Sequence, residues 1–213
     1  MPGEIMDFML MADKSEAVAE TSPEAAPLAR LIVRAQSGDH RAFDQLLIQH
    51  QHRVISLAWR LLGNQDDARD AAQESFLRVF KHLNKFDPAQ DFSGWLYRIV
   101  VNVCRDLARR RRHGSQISLE AEFESGHLKE PAGPQNTEAA AMHSQEQAII
   151  ARALTTLTEK ERAAIVLRDL EGLPTEEVAR ILGSRPTTVR SQISSARVKI
   201  RAFKKSLEKS RKV

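Results

Sequence analysis

The side chains best suited to binding chemistry in this sequence are arginines set at helical spacing. Arg98, Arg105 and Arg109, with Asn102 among them, recur every three or four positions within residues 91–114, so one helix would carry them along its length. Guanidinium groups bind phosphate through paired N–H donors, and a helix with several of them could lie along a nucleic-acid strand. A core helix with a solvated basic end would explain the same pattern, since most apolar stripes of this kind are simply core.

The helix that would position these arginines is predicted by an apolar stripe. The stripe has the i, i+4, i+8 spacing of a face that packs on a core, and its members are Trp95, Leu96, Ile99, Val100, Val103 and Leu107. Ser93 is predicted to cap the helix and Gly114 to end it. Arg109–Arg112 would then lie at the C-terminal end, where the helix dipole favours positive charge.

A second basic region lies near the end of the sequence, with ten basic residues and one acid in residues 185–213. A short helix is predicted over Glu176–Leu182; it stops at Gly183, and a longer helix opens at Pro186. A short helix, a tight glycine turn and a longer basic helix are typical of a helix-turn-helix, here over about residues 176–195. A plain αα-hairpin uses similar turns, and the basic excess is what favours DNA.

In a helix-turn-helix the second helix enters the major groove by its N-terminal residues. The candidates for contacts with base edges and phosphates are Thr187, Thr188, Arg190, Ser191, Ser194 and Ser195. Arg190 is the best candidate for guanine, because a bidentate arginine–guanine contact discriminates by about 1–3 kcal/mol. Arg185 and Arg197 are assigned to phosphate or solvent.

The helix predicted over Gln65–His82 has a polar face that capping alone does not explain. That face holds Asp70, Gln73, Glu74 and Arg78, after an acidic first turn with Asp66 and Asp67. It is either solvent surface or a docking site for a basic partner. The apolar residues of the helix are available to the core; they are Ala68, Ala71, Ala72, Phe76, Leu77, Val79 and Phe80.

Residues 83–92 form a predicted loop ahead of the arginine-bearing helix. Asn84 and Lys85, with Phe86 and Phe92, could line a pocket for an unstacked base. The two phenylalanines could equally plug the core, because base-stacking aromatics and core aromatics look alike in sequence.

Composition favours an all-α fold and a nucleic-acid partner. Aromatic residues make up 5% of the 213 residues, and there are 9 Gly and 8 Pro. The net charge of +4 is uneven: residues 1–27 carry −5, residues 28–113 carry +6, residues 114–146 carry −5 and residues 147–213 carry +8. Two basic blocks separated by an acidic segment indicate two nucleic-acid-binding modules on one tether. Ordinary surface charge would explain the first block adequately.

Several classes of function are disfavoured. No apolar run approaches the ~20 residues of a membrane span, so membrane insertion is not expected. The seven histidines and scattered acids show no metal-ligand spacing such as HExxH, and there is no P-loop; no metal, cofactor or small-molecule substrate is predicted. The single Cys104 allows no internal disulfide and indicates a reducing cytoplasm.

The predicted layout has five parts. They are a disordered N-terminal extension (1–27), a first helical domain (28–113), a linker (114–145), a second helical domain (146–206) and a basic tail (207–213). The first domain is expected to open with helices over residues 28–38 and 39–63, with Asp39 capping the second helix and Gly63-Asn64 ending it. The second is expected to open with a helix over residues 146–157, and Thr158–Glu161 has the form of a capping box for the next helix, which ends near Gly172.

Four motifs in this order resemble an extracytoplasmic-function (ECF) type RNA polymerase sigma factor of the sigma-70 family. They are DARDAAQESFLRVFK (67–81), FSGWLYRIVVNVCRDLARRRR (92–112), LTEKERAAIVLRDLEGLPTEEVARILG (157–183) and PTTVRSQISSARVKIR (186–201). The resemblance covers residues 28–113 and 146–205. It implies an all-α protein of two small helical domains, sigma region 2 and sigma region 4, joined by a flexible acidic linker.

The resemblance also implies a function and partners. The chain would be an alternative transcription initiation factor that binds core RNA polymerase, through the β′ clamp and the β flap, and directs it to promoter DNA. Residues meeting β′ would be Asp67, Asp70, Gln73, Glu74 and Arg78. Residues recognising and melting the minus-ten element would be Asn84, Lys85, Phe92, Arg98, Asn102, Arg105 and Arg109. The last helix would read the minus-thirty-five element as duplex, and an anti-sigma factor is expected, since many members of the family have one.

Some residues depart from the family pattern. Thr188 stands where Gly is common, and Gln192 and Ser195 stand where basic residues are common. The promoter sequence is therefore not predicted.

Two other functions compete with this interpretation. A stand-alone helix-turn-helix repressor or activator of closed duplex would explain residues 174–201, but not residues 67–81 or 92–112. An enzyme acting on nucleic acid would need a convergent set of polar groups, which the sequence does not offer.

Overall fold

The structure, a computed structural model, describes residues 25–115 and 148–210. Every regular element in these two ranges is helical, so the all-α prediction is confirmed for them. The two ranges belong to two separate compact units. Most of the predicted N-terminal extension and linker, and the end of the basic tail, lie outside the described residues.

Within residues 25–115, the first unit contains four α-helices and one short 3₁₀ turn. These are α1 (Ala25–Gln36), α2 (His40–Leu62), α3 (Gln65–His82), the turn Leu83–Lys85 and α4 (Phe92–Ser115). The first helix begins three residues earlier than expected, because Pro27 falls in its first turn, where a missing N–H costs little.

Local capping signals set most helix ends in this unit. Asp39 accepts a hydrogen bond from the Ala42 N–H at the start of α2, and Gly63 ends that helix in the left-handed conformation, with φ of 76°. Asn64 then caps α3. The prediction that Ser93 caps α4 was wrong: the Asp91 carboxylate accepts from the N–H groups of Ser93 and Gly94, at 3.0 and 2.8 Å. A carboxylate near a helix N-terminus also gains from the helix dipole.

The core of the first unit forms where α2, α3 and α4 pack together, with α1 against α2. Its fully buried side chains include Leu46, Leu57, Val79, Leu96 and Val100. Each such burial is worth about 1.5–3 kcal/mol relative to exposure, so the apolar stripe of α4 does fix the helix that carries the arginines.

The core prediction for α3 was partly wrong. Ala68, Ala71 and Ala72 are buried, but Leu77 is 58% exposed and Phe80 is 56% exposed. The small alanines let α3 lie close to its neighbours, and the outer face is left with two large apolar side chains. Phe80 touches Phe43 of α2 edge to face, with ring centroids 5.1 Å apart.

The second unit is a compact set of helices around the predicted helix-turn-helix. It contains α5 (helical over residues 148–155), α6 (Glu159–Ile165), a π-helical turn (Val166–Leu170), α7 (Thr175–Leu182) and α8 (Pro186–Ser210). The capping box at the start of α6 is present, with Thr158 and Glu161 each bonded to the other's backbone N–H. Gly183 ends α7 with φ of 63°. The last helix extends five residues past its expected end near Lys205.

The π-helical turn is a difference from the single regular helix expected over this stretch. In it the Glu171 N–H donates to the Val166 carbonyl, five residues back, at 3.0 Å. Single π turns inside helices often lie at functional or structurally demanding positions. This one carries Asp169, whose side chain is fully buried.

Candidate nucleic-acid and polymerase interfaces

The second unit exposes one end of α8. Val189 and Ile193 point into the core of this unit, and the residues on the outer side are exposed; these are Arg185, Thr187, Thr188, Arg190, Ser191 and Ser194. Hydroxyl and guanidinium groups on the first turns of such a helix can reach base edges and phosphates. The geometry therefore suits these six predicted residues to a duplex interface, which we call the α8 surface.

Arg190 is held by a partner on the neighbouring helix. Its guanidinium donates to the Glu176 carboxylate of α7 at 3.0 Å. Both side chains are more than half exposed, so the pair contributes little to stability. Its effect is to orient an accessible guanidinium at the start of the α8 surface.

Two predicted DNA contacts, Ser195 and Arg197, bond to carboxylates of their own unit. Ser195 donates its hydroxyl hydrogen to Glu161 of α6. Arg197 donates through Nε and Nη2 to the two oxygens of Asp169, at 3.2 and 3.1 Å, and the two side chains are 13% and 0% exposed. A buried carboxylate requires a close counter-charge, so Arg197 serves the interior of this unit.

Glu161 connects the start of α6 to α8. Besides capping α6, it accepts a hydrogen bond from Lys199 at 2.7 Å and from Ser195. Partial desolvation opposes its charged form, but the bonds from Lys199, Ser195 and Thr158 outweigh this and lower the pKa of Glu161 to about 2. The sequence showed only the capping role, because the contacts with α8 join residues 34 and 38 positions away.

The arginine-bearing helix presents the expected polar residues along one face. Arg98, Asn102 and Arg109 are exposed and Arg105 is half-buried. Their spacing of four, three and four residues keeps them on a single side of α4. This line of three cations and one amide, the α4 surface, has the form needed to follow a nucleic-acid backbone.

A chain of charged groups connects α3 to the α4 surface. Arg78 donates to Glu74 at 2.8 Å and to Asp106 at 3.3 Å, and Asp106 in turn accepts from Arg109 at 3.1 Å. Hydrogen bonds to Glu74 and Asp106 raise the pKa of the Arg78 guanidinium despite its partial burial. Arg78, predicted as a polymerase contact, is thus engaged within its own unit.

Asp67 also faces inward, contrary to the prediction that it meets a partner. It is buried and paired with Arg111 at the basic end of α4. Burial raises the pKa of Asp67, and the neighbouring guanidinium opposes that rise. Asp70 and Gln73 are exposed and Glu74 is half-buried, so these three remain on the outer face of α3.

The sequence missed two residues of that outer face. Leu77 and Phe80 follow Asp70, Gln73 and Glu74 at helical spacing, and both are largely exposed. The sequence did contain a signal for this. Three alanines already occupy the buried face of α3, and the helix has more large apolar residues than the rest of that face can accommodate. We call the five residues the α3 surface.

The segment from the 3₁₀ turn to the first residue of α4 exposes Asn84 and Lys85 but buries its aromatic residues. Phe92 is 3% exposed and its ring lies 5.1 Å from the His50 ring and 5.6 Å from Trp95. Phe92 therefore fills the core, and the prediction that it contacts the minus-ten element was wrong. The Phe86 ring belongs to the same cluster, with its centroid 5.5 Å from that of Phe92. His50 is buried beside Phe92, and this burial lowers the pKa of its imidazole.

The described residues show neither a metal-ion cluster nor an exposed thiol. Within residues 25–115 and 148–210, no three His, Cys, Asp or Glu side chains are grouped so as to hold a metal ion. Cys104 is buried, and burial raises the pKa of its thiol to about 12. In the same ranges every helix is too short or too polar to cross a membrane.

Comparison with known proteins decides the family. Residues 46–114 match the family Sigma-70 region 2, and residues 147–200 match the family Sigma-70, region 4. The chain is 41% identical over 174 residues to the ECF RNA polymerase sigma-E factor of Escherichia coli strain K12, with 78% of this chain and 88% of that protein covered. This chain belongs to the ECF family of sigma-70 factors. It is also 41% identical over 170 residues to the ECF RNA polymerase sigma factor SigE of Mycolicibacterium smegmatis, with 78% of this chain and 64% of that protein covered.

Solved structures show the same fold. The structure of CnrH in complex with the cytosolic domain of CnrY is similar with a TM-score of 0.61 at 29% identity, covering 84% of this chain and 97% of that one. The sigma factor RpoE of Bartonella quintana, solved with the anti-sigma factor NepR, is similar in fold with a TM-score of 0.62 at 24% identity, covering 76% and 96%.

These comparisons confirm the prediction of a sigma factor with region 2 and region 4 domains. Sigma factors are transcription initiation factors whose partners are core RNA polymerase and promoter DNA. No comparison supports the stand-alone repressor or activator.

Proposed function

We propose that this ECF sigma factor divides promoter recognition between its two units and docks on the polymerase through the α3 surface. The observation that carries the proposal is the presence of three exposed surfaces of different chemistry. The α8 surface suits duplex DNA, and the α4 surface suits a single DNA strand. The α3 surface combines carboxylates with exposed apolar side chains.

The α8 surface would read the minus-thirty-five element as closed duplex. Arg190 would contact guanine, while Thr187, Ser191 and Ser194 would contact phosphates or neighbouring base edges. Replacing Arg190 with alanine should cost about 1–3 kcal/mol and relax sequence preference at one position. Replacing Arg201, farther along the same exposed side, should weaken binding about equally on all sequences.

The α4 surface and the loop before it would take the melted minus-ten strand. Arg98, Arg105 and Arg109 would hold phosphates without reading sequence. Asn84 and Lys85, exposed on the loop, would meet a base that has left the stack. New contacts of this kind offset the few kcal/mol that unstacking costs.

The α3 surface would bind the β′ clamp of core polymerase. Run-off transcription with purified core enzyme over a promoter library tests this together with both promoter elements. The joint variant Asp70→Ala, Gln73→Ala, Glu74→Ala should lose initiation and core binding. Its matched control is the exposed pair Asp44→Ala, Gln49→Ala on α2, which should behave as the unaltered protein. Equal activity of the two variants would overturn the assignment of this surface.

We also propose that the chain is an alternative sigma factor restrained by an anti-sigma factor. The support is the likeness to CnrH, which was solved bound to a domain of CnrY. It would act in the cytoplasm with the polymerase and carry out no catalysis itself. Core polymerase and a cognate anti-sigma factor should compete for the chain in a titration; a stable ternary complex with full transcription would contradict this.

A further inference from the structure

Gln36, at the end of α1, holds the short loop that carries Asn84 and Lys85. Its side-chain amide nitrogen donates to the Leu83 carbonyl at 2.8 Å and to the Phe86 carbonyl at 2.6 Å. These partners are 47 and 50 positions away in sequence. An amide NH₂ has two N–H groups, so this one side chain uses both donors on the two residues that flank Asn84 and Lys85.

The same two flanking residues are anchored from the other direction by their side chains. Leu83 and Phe86 are buried, at 2% and 5% exposure. The Phe86 ring packs 4.8 Å from the Trp95 ring, and the Phe86 N–H closes the turn by donating to the Leu83 carbonyl at 2.9 Å. Both ends of the segment are thus fixed by backbone bonds and by packing, while Asn84 and Lys85 between them are exposed.

We propose that Gln36 is a positioning residue for base recognition in the minus-ten element. It sets the backbone on which Asn84 and Lys85 meet the extruded base, so that the loop is already ordered before the strand arrives. A loop that must become ordered on binding loses part of its interaction energy to that ordering, and polar groups displaced by about 1 Å discriminate poorly. The inference rests on the proposed function of the loop.

A plain structural role for Gln36, tying α1 to its unit, makes a different prediction. Loss of such a structural contact would lower the stability of the first unit and weaken holoenzyme binding to all promoter sequences alike. Loss of a positioning contact would instead reduce the difference between the preferred base and the other three. Base discrimination is therefore the readout that separates the two roles.

The experiment uses holoenzyme made from core polymerase and the full chain. Its probes are forked promoter fragments with a single-stranded minus-ten segment, in which each position carries each of the four bases. Gln36→Met keeps the size of the side chain and removes both donors. Gln36→Asn keeps an amide that is one methylene too short to reach both carbonyls, and it provides a second variant should the first not fold. Gln51→Met is the matched control, since Gln51 is exposed on α2.

With the unaltered chain, one position of the fork should show strong preference for one base. Both Gln36 variants should lower that preference about tenfold, with core-polymerase affinity and the contribution of a duplex minus-thirty-five element unchanged, and Gln51→Met should keep it. Full preference in both Gln36 variants, or an equal loss of affinity for all four bases, would overturn the role of Gln36. If the unaltered holoenzyme shows no base preference anywhere in the fork, the proposed function of the loop fails first.

Discussion

Replacing Arg197 with methionine should destabilise the second unit rather than weaken a DNA contact. Arg197 binds both oxygens of Asp169, whose side chain is fully buried. Removing one partner of a buried ion pair costs about 3–5 kcal/mol, because the remaining charge loses its compensation. A whole domain is stable by only about 5–15 kcal/mol, and small domains fall at the low end. Arg197→Met should therefore remove a large share of the stability of this unit.

The two units can be followed separately in the intact chain. Both tryptophans, Trp59 and Trp95, lie in the first unit, so tryptophan fluorescence in urea reports that unit and the remaining far-ultraviolet circular dichroism transition reports the second. Arg197→Met should shift the circular dichroism transition to lower urea and leave the fluorescence transition in place. The double variant Asp169→Leu, Arg197→Met should recover much of the loss, because it removes both charges of the buried pair together.

Binding of holoenzyme to promoter DNA at several salt concentrations completes the test. A residue that contacts phosphate contributes about 0.9 to the slope of log affinity against log salt. Arg201→Met, at an exposed position of the same helix, should lower the slope without changing stability. The reasoning would be refuted if Arg197→Met lowered the slope in the same way and left the circular dichroism transition unchanged.

Three further perturbations follow from the structure. The pKa of Glu161 is about 2 in the folded chain against an ordinary 4.5. The ionised carboxylate therefore contributes fully to the stability of the second unit above pH 4.5, and this contribution is lost as the pH falls towards 2. That contribution is at most about 3 kcal/mol before solvent screening reduces it; urea denaturation at a series of pH values should show the loss, and Glu161→Gln should flatten the profile. A double-mutant cycle of Arg78→Ala and Asp106→Ala, read by tryptophan fluorescence in urea, should give a coupling of about 0.5–1 kcal/mol, whereas strict additivity would mean that the ion pair is without effect. Gly183→Ala should cost about 1 kcal/mol in the circular dichroism transition, because φ is +63° there while an added Cβ would meet nothing; an unchanged midpoint would contradict that backbone argument.

The local signals in the sequence predicted the helix ends well. Asp39, Gly63 and the Thr158–Glu161 box all act as predicted, since a cap involves residues within a few positions of each other. The exception is α4, for which both Asp91 and Ser93 are residue types that can cap a helix. The helix begins at Phe92, so Asp91 is the residue whose side chain accepts from the first free N–H groups. Sequence patterns rank such neighbouring candidates poorly.

The candidate surfaces were predicted less completely than the helices. Exposure along α8 followed from its spacing for Thr187 and Ser191, but Ser195 and Arg197 stand at the edge of that face, where a partner on another helix decides their direction. The same is true of Asp67, which pairs with a guanidinium of α4. A polar side chain at the edge of a helix face can point either to solvent or to a neighbouring helix with little change in its side-chain torsion angles.

The sequence alone determined the helical fold, the basic and acidic blocks and the family to which the motifs point, because periodicity, caps and composition are properties of short stretches. Only the tertiary structure decided that Phe92 fills a core, that Leu77 and Phe80 remain outside it, and that Gln36 reaches the loop some fifty residues away. Those outcomes depend on which helices pack together and how closely, and long-range contacts of that kind leave no mark on the spacing of residues along the chain.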